Sequence, residues 1–308
     1  MLRLSNRAAS TASWTWRAVA VRAAASSLSA PVLSTTRTRC GSKTPMSMRY
    51  STVTAASIPT TAVPDKPRAE VLKIVKGQEL RIPDIEKLFD GWQRLVSPHR
   101  SSVTNVVNEI VQKYAVSPKI RHRLTNNNLD LLVATWFPLA SPERLAELAQ
   151  FVCWMFIIDD EIDSIKQANV SIEEFKHLWS EALRVISESC GLHGHEVGAK
   201  FEPSKYQSAE TFRPFGELLM TRYSFDQRQR FWDELETTAN AYIQEYGFTK
   251  LDWVPDYEAY CAGRYGTSCM AQNLSMFEYS NESNIPQELM ESPELKSLWK
   301  QTTDLLWM

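Results

Sequence analysis

The chain has 308 residues, 44% of them hydrophobic, and a formal charge of -2. That is enough for one large domain or two small ones, and no apolar run is long enough to span a bilayer. The charge is uneven: residues 1–64 hold eight of the 34 Lys and Arg and none of the 36 Asp and Glu, so the remainder carries 26 basic against 36 acidic residues, a net -10 that argues against nucleic acid as a partner.

Residues 1–65 form a first segment, rich in Ser, Thr, Ala and Arg. This is the composition of a mitochondrial or plastid transit peptide. A disordered extension fits as well, as does a start codon placed too early, with Met46 or Met48 as internal alternatives. None of these readings gives the segment a place in the fold, so the folded domain is expected over residues 66–308. The five cysteines, Cys40, Cys153, Cys190, Cys261 and Cys269, show no CxxC spacing. That speaks against a disulfide framework or a zinc site and for an intracellular setting, cytoplasmic or, if the leader is a real transit peptide, mitochondrial.

From Lys66 onward the pattern is of helices separated by short polar breaks, with no strand alternation and no glycine-rich nucleotide loop, so the expected fold class is all-α. Ile82-Pro83-Asp84 is expected to open one helix. Ser97-Pro98-His99 marks the break before a helix through Val106, Ile110 and Val111, and Pro138 closes a further segment. Ser141 has the character of an N-cap, with Pro142 at the first helical position and Glu143 behind it. Along that helix Leu145, Leu148, Val152, Met155 and Phe156 recur at three- and four-residue intervals and lead into FVCWMFIIDDEID, residues 151–163.

In a helix, Asp159 and Asp163 stand four apart on one face with Asp160 beside them, and like charges so placed repel by roughly a few tenths of a kcal/mol per pair. If the helix ends there, its macrodipole adds to the cost. A cation removes both penalties. The economical choice is Mg²⁺, which takes oxygen ligands and is held by one or two carboxylates plus substrate phosphates. With the apolar run as the wall of a greasy pocket, the stretch describes a metal-held diphosphate at the mouth of a hydrocarbon chamber, the arrangement an isoprenyl diphosphate requires. An acidic helix end pointing into solvent is the plain alternative.

A helix over residues 172–189 follows, then a loop of roughly twenty residues, His193 to Thr211, longer than ordinary connections and so either mobile or functional. His193 and His195 within it are taken as solvated surface residues. A long amphipathic helix is expected from about Asp226 to Tyr246, with Phe231, Leu235 and Tyr242 inward and no chemistry assigned. In Pro255 to Phe277, Tyr257, Cys261, Arg264, Ser268 and Ala271 advance along one face. The Arg264 guanidinium is suited to bidentate diphosphate binding. Gly263 and Gly266 each cost a helix roughly 0.5 to 1 kcal/mol relative to alanine, which predicts a break or a close backbone approach near Gly266-Thr267-Ser268. An ordinary surface arginine with incidental glycines is the alternative.

The DDEID motif at the end of an aromatic helix, followed about a hundred residues later by YEAYCAGRYGTS, resembles the class I terpene synthases, most closely the single-domain fungal sesquiterpene synthases. The resemblance extends over residues 80–308 and includes WQRLVSPH from Trp92 to His99 and Phe137-Pro138 followed by SPERL. It implies the all-α class I terpenoid synthase bundle, a Mg²⁺ ligand at Asp159 with Asp160 and Asp163 completing the motif, a diphosphate sensor at Arg264, and linker and effector positions at Thr267 and Ser268. That family carries a second metal motif, N-D-x-x-S-x-x-x-E, soon after a stretch like LWKQTTDLLWM; this chain stops at Met308 without one, and the bundle is expected to be incomplete at its C-terminal end.

The function implied is a Mg²⁺-dependent cyclase that ionises farnesyl diphosphate and cyclises the cation to a sesquiterpene, with diphosphate released. Phe156 or Trp136 would face the cation. Two alternatives stay open: a truncated helical protein without catalysis, and a chain-elongating prenyltransferase, for which residues 233–236 (DELE) make a poor second aspartate-rich motif.

Overall fold

The computed structural model describes residues 66–79, 84–115, 117–196 and 200–307. The basic segment 1–65 lies outside them, as do Ile82 and Pro83. A two-residue strand β1 (Lys66–Pro67) leads into α1 (Arg68–Val75), and a 3₁₀ turn covers Ile85–Phe89. The remaining elements are α2 (Arg100–Tyr114), α3 (Pro118–Asn126), α4 (Leu129–Trp136), α5 (Pro142–Ala168), α6 (Ile172–Ser189), α7 (Gln207–Glu210), α8 (Arg213–Arg222), α9 (Phe225–Lys250), β2 (Trp253–Val254), α10 (Tyr257–Thr267), α11 (Met270–Ser280), α12 (Gln287–Met290) and α13 (Pro293–Trp307). Strand content among the described residues is the antiparallel ladder of β1 on β2, Lys66 opposite Val254, so the fold is all-α in substance.

Helix α5 is the axis. Ser141 accepts from the Arg144 amide at its start and Pro142 sits at the first position, as the sequence predicts. Every residue from Phe151 to Met155, then Ile157, Ile158 and Ile162, is buried. A helix apolar on all sides belongs inside a bundle, and α2, α4, α7, α8 and α11 pack around it. Each such Phe, Leu or Ile stabilises the fold by about 1.5 to 3 kcal/mol. Aromatic contacts of Phe151 with Phe215 and Phe231, at 5.4 and 5.7 Å between ring centroids, tie α5 to α8 and α9.

Three expectations are corrected. Helix α5 does not stop at the carboxylates: it continues to Ala168 and is ended by Asn169 in the left-handed region, φ 54°. Asp159 is therefore more than two turns from the end, and the dipole penalty, which fades within the last turn, does not fall on it. The Asp84 segment forms a 3₁₀ turn rather than an α-helix, because five residues ended by Asp90-Gly91 are too few to nucleate one.

The long connection is also partly folded. Its last residues form α7, Ser208 and Thr211 are buried, and Glu210 accepts from the Ser204 amide at 2.7 Å and from Arg213 Nε at 2.7 Å. His193 is exposed yet partnered, its Nδ1 2.8 Å from Ser187 Oγ and its ring edge-on to Trp232 at 4.7 Å. His195 is half-buried against Phe201.

Helix α9 starts with a reciprocal cap, Ser224 Oγ accepting from the Gln227 amide and the Gln227 side chain accepting from the Ser224 amide. It packs on α6, α10 and α11. The predicted break is present: α10 ends at Thr267, Cys269 takes the left-handed conformation at φ 58°, and α11 begins at Met270. The close approach is at Gly266, where an added Cβ would come 2.3 Å from Ala241 Cβ on α9. Gly263 has open space around its Cα, and nothing in the structure requires glycine there.

Candidate active site

The site forms where the second half of α5 faces α9 and the α10–α11 break. Asp159 is half-buried, and its Oδ1 lies 3.3 Å from the Tyr242 hydroxyl. Burial, then the charge of Asp163, push the Asp159 carboxyl up to about 6, against Lys166, the Tyr242 hydroxyl and Arg123, which favour the charged form. Asp163, one turn on, is also half-buried.

Asp160 points elsewhere. It is buried and paired with Arg123 of α3, while its Oδ2 has no hydrogen-bond partner. Phe156 is half-buried at the edge of the core on the preceding turn, and Trp136 is half-buried at the end of α4.

On the facing side, Arg264 Nη1 donates to Thr267 Oγ1 at 3.0 Å, and among the described residues its guanidinium is paired with no carboxylate. Thr267 and Ser268 are buried. The Ser268 hydroxyl is used within the break, donating to the Tyr265 carbonyl at 3.0 Å and accepting from the Met270 amide at 3.3 Å. The Thr267 carbonyl lies 3.4 Å from the Tyr242 hydroxyl.

Cys269 sits between the two halves. Burial, then the charge of Asp159, push its thiol up to about 12, with Arg264 acting the other way. A non-glycine residue held in the left-handed region stores about 1 to 3 kcal/mol, the kind of strain that concentrates at functional sites. The structure thus links Asp159 to Thr267 through Tyr242 and Thr267 to Arg264, leaves Asp163 beside Asp159 one turn along α5, and turns Asp160 toward Arg123.

Sequence reasoning missed Tyr242, Cys269, Arg123 and two buried amides. Thr238 Oγ1 is 2.7 Å from Gln272 Oε1 and 3.1 Å from the Gly266 carbonyl, bracing the break against α9. Asn273 donates to the Cys269 carbonyl at 2.7 Å and toward Met155 Sδ at 3.6 Å, leaving its Oδ1 buried without a partner. A separate open cleft of about 480 Å³ between α10 and α13 is lined by Cys261, Ala262, Tyr265, Lys300 and Asp304, none of them a predicted site residue.

The donor set suits a hard divalent cation. The candidate ligands are carboxylate oxygens, and Glu161 Oε2 is buried and unpartnered beside them, like Asp160 Oδ2. Among the described residues, no three His, Cys, Asp or Glu side chains are gathered closely enough to enclose an ion on their own. A pair of carboxylates leaving the other positions to phosphate and water is the coordination Mg²⁺ prefers.

A family model described as terpene synthase family 2, C-terminal metal binding, matches residues 150–308, and the chain belongs to that family. Sesquiterpene cyclase hepA of Aspergillus oryzae is 25% identical over 241 residues, covering 76% of this chain and 64% of that protein. Sesquiterpene synthase 3 of Postia placenta is 24% identical over 252 residues, covering 80% of this chain and 62% of that protein. The chain thus spans a little under two-thirds of the length of these relatives. Among solved structures, germacradien-4-ol synthase from Streptomyces citricolor superposes with a TM-score of 0.57 at 20% identity, over 74% of this chain and 70% of that one, which shows the shared fold.

Proposed function

We propose that this protein is a Mg²⁺-dependent terpene cyclase that ionises farnesyl diphosphate and cyclises the resulting cation to a sesquiterpene, residues 66–308 belonging to the catalytic domain. The observation that carries the reading is the juxtaposition of the Asp159–Asp163 face of α5 with Arg264 and Thr267 at the α10–α11 break, through Tyr242. The sesquiterpene names of the two fungal relatives favour a fifteen-carbon substrate.

In this account Asp159 and Asp163 hold the metal and Asp160 supports them from its pairing with Arg123. Bound Mg²⁺ would supply positive charge to offset the negative charge that builds on the departing diphosphate. Arg264, without an acidic partner among the described residues, offers its guanidinium to the same group, and Thr267 orients that guanidinium. Ser268 shapes the break. Phe156 and Trp136, half-buried against the core, are the aromatic rings assigned to stabilising the cation, each contact contributing about 0.5 to 2 kcal/mol, and the apolar stretch of α5 is assigned to excluding water that would quench it early.

The chain-elongating alternative lacks support in α9: of its DELE run, Asp233 is exposed and Glu234 is half-buried, its carboxyl raised by burial and by Asp233. Among the described residues no helix is long and apolar enough to cross a membrane. Cys153, Cys190, Cys261 and Cys269 are free thiols.

Calorimetric titration with inorganic pyrophosphate and Mg²⁺ tests the site. Loss of two charge-assisted hydrogen bonds at about 1.5 kcal/mol or more each should weaken pyrophosphate binding by Arg264→Ala about a hundredfold or more. Asp159→Ala should remove the dependence on Mg²⁺. Undiminished pyrophosphate affinity in Arg264→Ala would overturn the assignment of the sensor.

A further inference from the structure

Tyr242 is buried on α9 between the two features that the proposed function assigns to metal and to anion. Its hydroxyl lies 3.3 Å from Asp159 Oδ1, 3.4 Å from the Thr267 carbonyl and 3.7 Å from Cys269 Sγ. A phenol has one proton to give, so it donates to one of these acceptors at a time and can accept in turn from the thiol. All three contacts are long, and the ring is fixed by other means. It lies tilted against Trp179 at 5.3 Å between centroids, with the Lys166 ammonium 5.2 Å from the ring centre and that ammonium held by Glu245 at 2.6 Å. The ring is held on more than one side, so no single one of these contacts decides where the hydroxyl stands.

On the other side of the break, Arg264 Nη1 reaches the hydroxyl of the same Thr267 whose carbonyl faces Tyr242. Arg264, Thr267, Tyr242 and Asp159 therefore form a continuous run of polar contacts from the guanidinium to the carboxylate. The terminal torsion of an aspartate is broad and soft, so a ligand carboxylate needs a second contact to hold one orientation.

We propose that Tyr242 is a positioning residue: its hydroxyl holds Asp159 in the orientation that receives the cation and ties that carboxylate to the α10–α11 break. The proposal rests on Asp159 being a metal ligand, and it adds a role on α9 for a side chain that is otherwise part of the core. Partners that orient a ligand from behind typically change metal affinity by about 10- to 100-fold. The 3.3 Å contact puts Tyr242 at the low end of that range.

The test uses Mn²⁺ alone as the probe, with free ion measured by electron paramagnetic resonance in the full chain. Tyr242→Phe keeps the ring and its contacts with Trp179 and Lys166 and removes only the hydroxyl. It is expected to weaken Mn²⁺ binding about tenfold, with the metal-free melting temperature within about 2 °C of the parent. Trp179→Phe loosens the ring but keeps the hydroxyl, and is expected to lower the melting temperature while leaving Mn²⁺ affinity within about twofold.

If Asp159→Ala loses Mn²⁺ and Tyr242→Phe does not weaken it, the proposal is wrong and the reading of Asp159 survives. Equal weakening by Trp179→Phe and Tyr242→Phe would assign the effect to packing and also overturn it. Should Asp159→Ala bind Mn²⁺ as the parent does, the metal reading falls and the positioning role with it.

Discussion

Replacing Asp159 by asparagine in metal-free protein should stabilise the fold at neutral pH, which is unusual for a change at a buried polar position. Burial and Asp163 hold the native carboxyl near 6, against an ordinary 3.8. Between those values the unfolded chain has released a proton that the native state still holds. The favourable contribution is therefore complete below about pH 4, declines as pH rises, and is gone above about pH 6. At pH 7.5 the native state carries the whole penalty of ionising a half-buried group beside a like charge, at most about 3 kcal/mol over that interval.

Asparagine cannot ionise and can still accept from Tyr242. In urea denaturation with chelator present, Asp159→Asn should exceed the parent by about 2 to 3 kcal/mol at pH 7.5 and match it within about 0.5 kcal/mol at pH 4. Mg²⁺ at a hundred times its dissociation constant should return about 2.7 kcal/mol to the parent and nothing to the variant. A variant that is less stable at pH 7.5, or a difference that does not change with pH, would refute the electrostatic account of this carboxylate.

Other substitutions probe the scaffold. Gly266→Ala puts a Cβ 2.3 Å from Ala241 Cβ and 3.3 Å from the Thr237 carbonyl, so it should cost about 1 to 3 kcal/mol, recovered in good part by adding Ala241→Gly; chemical denaturation of the single and double variants decides it. Arg123→Ala strands Asp160, which is 6% exposed and already has one unpartnered oxygen, and should cost about 1 to 3 kcal/mol, more than Asp160→Asn at the same pair. Ser224→Ala removes half of the reciprocal cap on α9 and should lower the melting temperature by the equivalent of about 1 kcal/mol.

The helices were legible where local chemistry decides them. Ser141-Pro142 marks the start of α5, and the glycine and arginine pattern marks the α10–α11 break, because caps and breaks are set by residues within a turn of each other. The end of α5 was misread because the run of carboxylates looks like a terminus. The true stop, Asn169 ahead of the Ser171 cap of α6, lies further on and is less conspicuous.

Tyr242 has an inward position in the amphipathic pattern of α9, and its burial was legible. Its hydroxyl's partner on Asp159 was not, since 83 positions separate them and only the packing of α5 on α9 brings them together. The same holds for Arg123 and Asp160, 37 positions apart in the sequence and joined by the placement of α3. The order of the long connection was not legible, because it comes from an acid–base cluster, Arg184 and Arg213 with Glu181, Glu188 and Glu210, contributed by three separate helices.

The central claim is that the Asp159 face and Arg264 act together on a prenyl diphosphate. The most direct measurement is incubation of the full chain with farnesyl diphosphate and Mg²⁺, followed by gas chromatography–mass spectrometry of the organic extract and assay of released diphosphate. The account predicts a fifteen-carbon hydrocarbon or alcohol and one diphosphate per product, only with the metal and not with Asp159→Ala. A longer prenyl diphosphate as product, or folded protein that leaves the substrate intact, would contradict it.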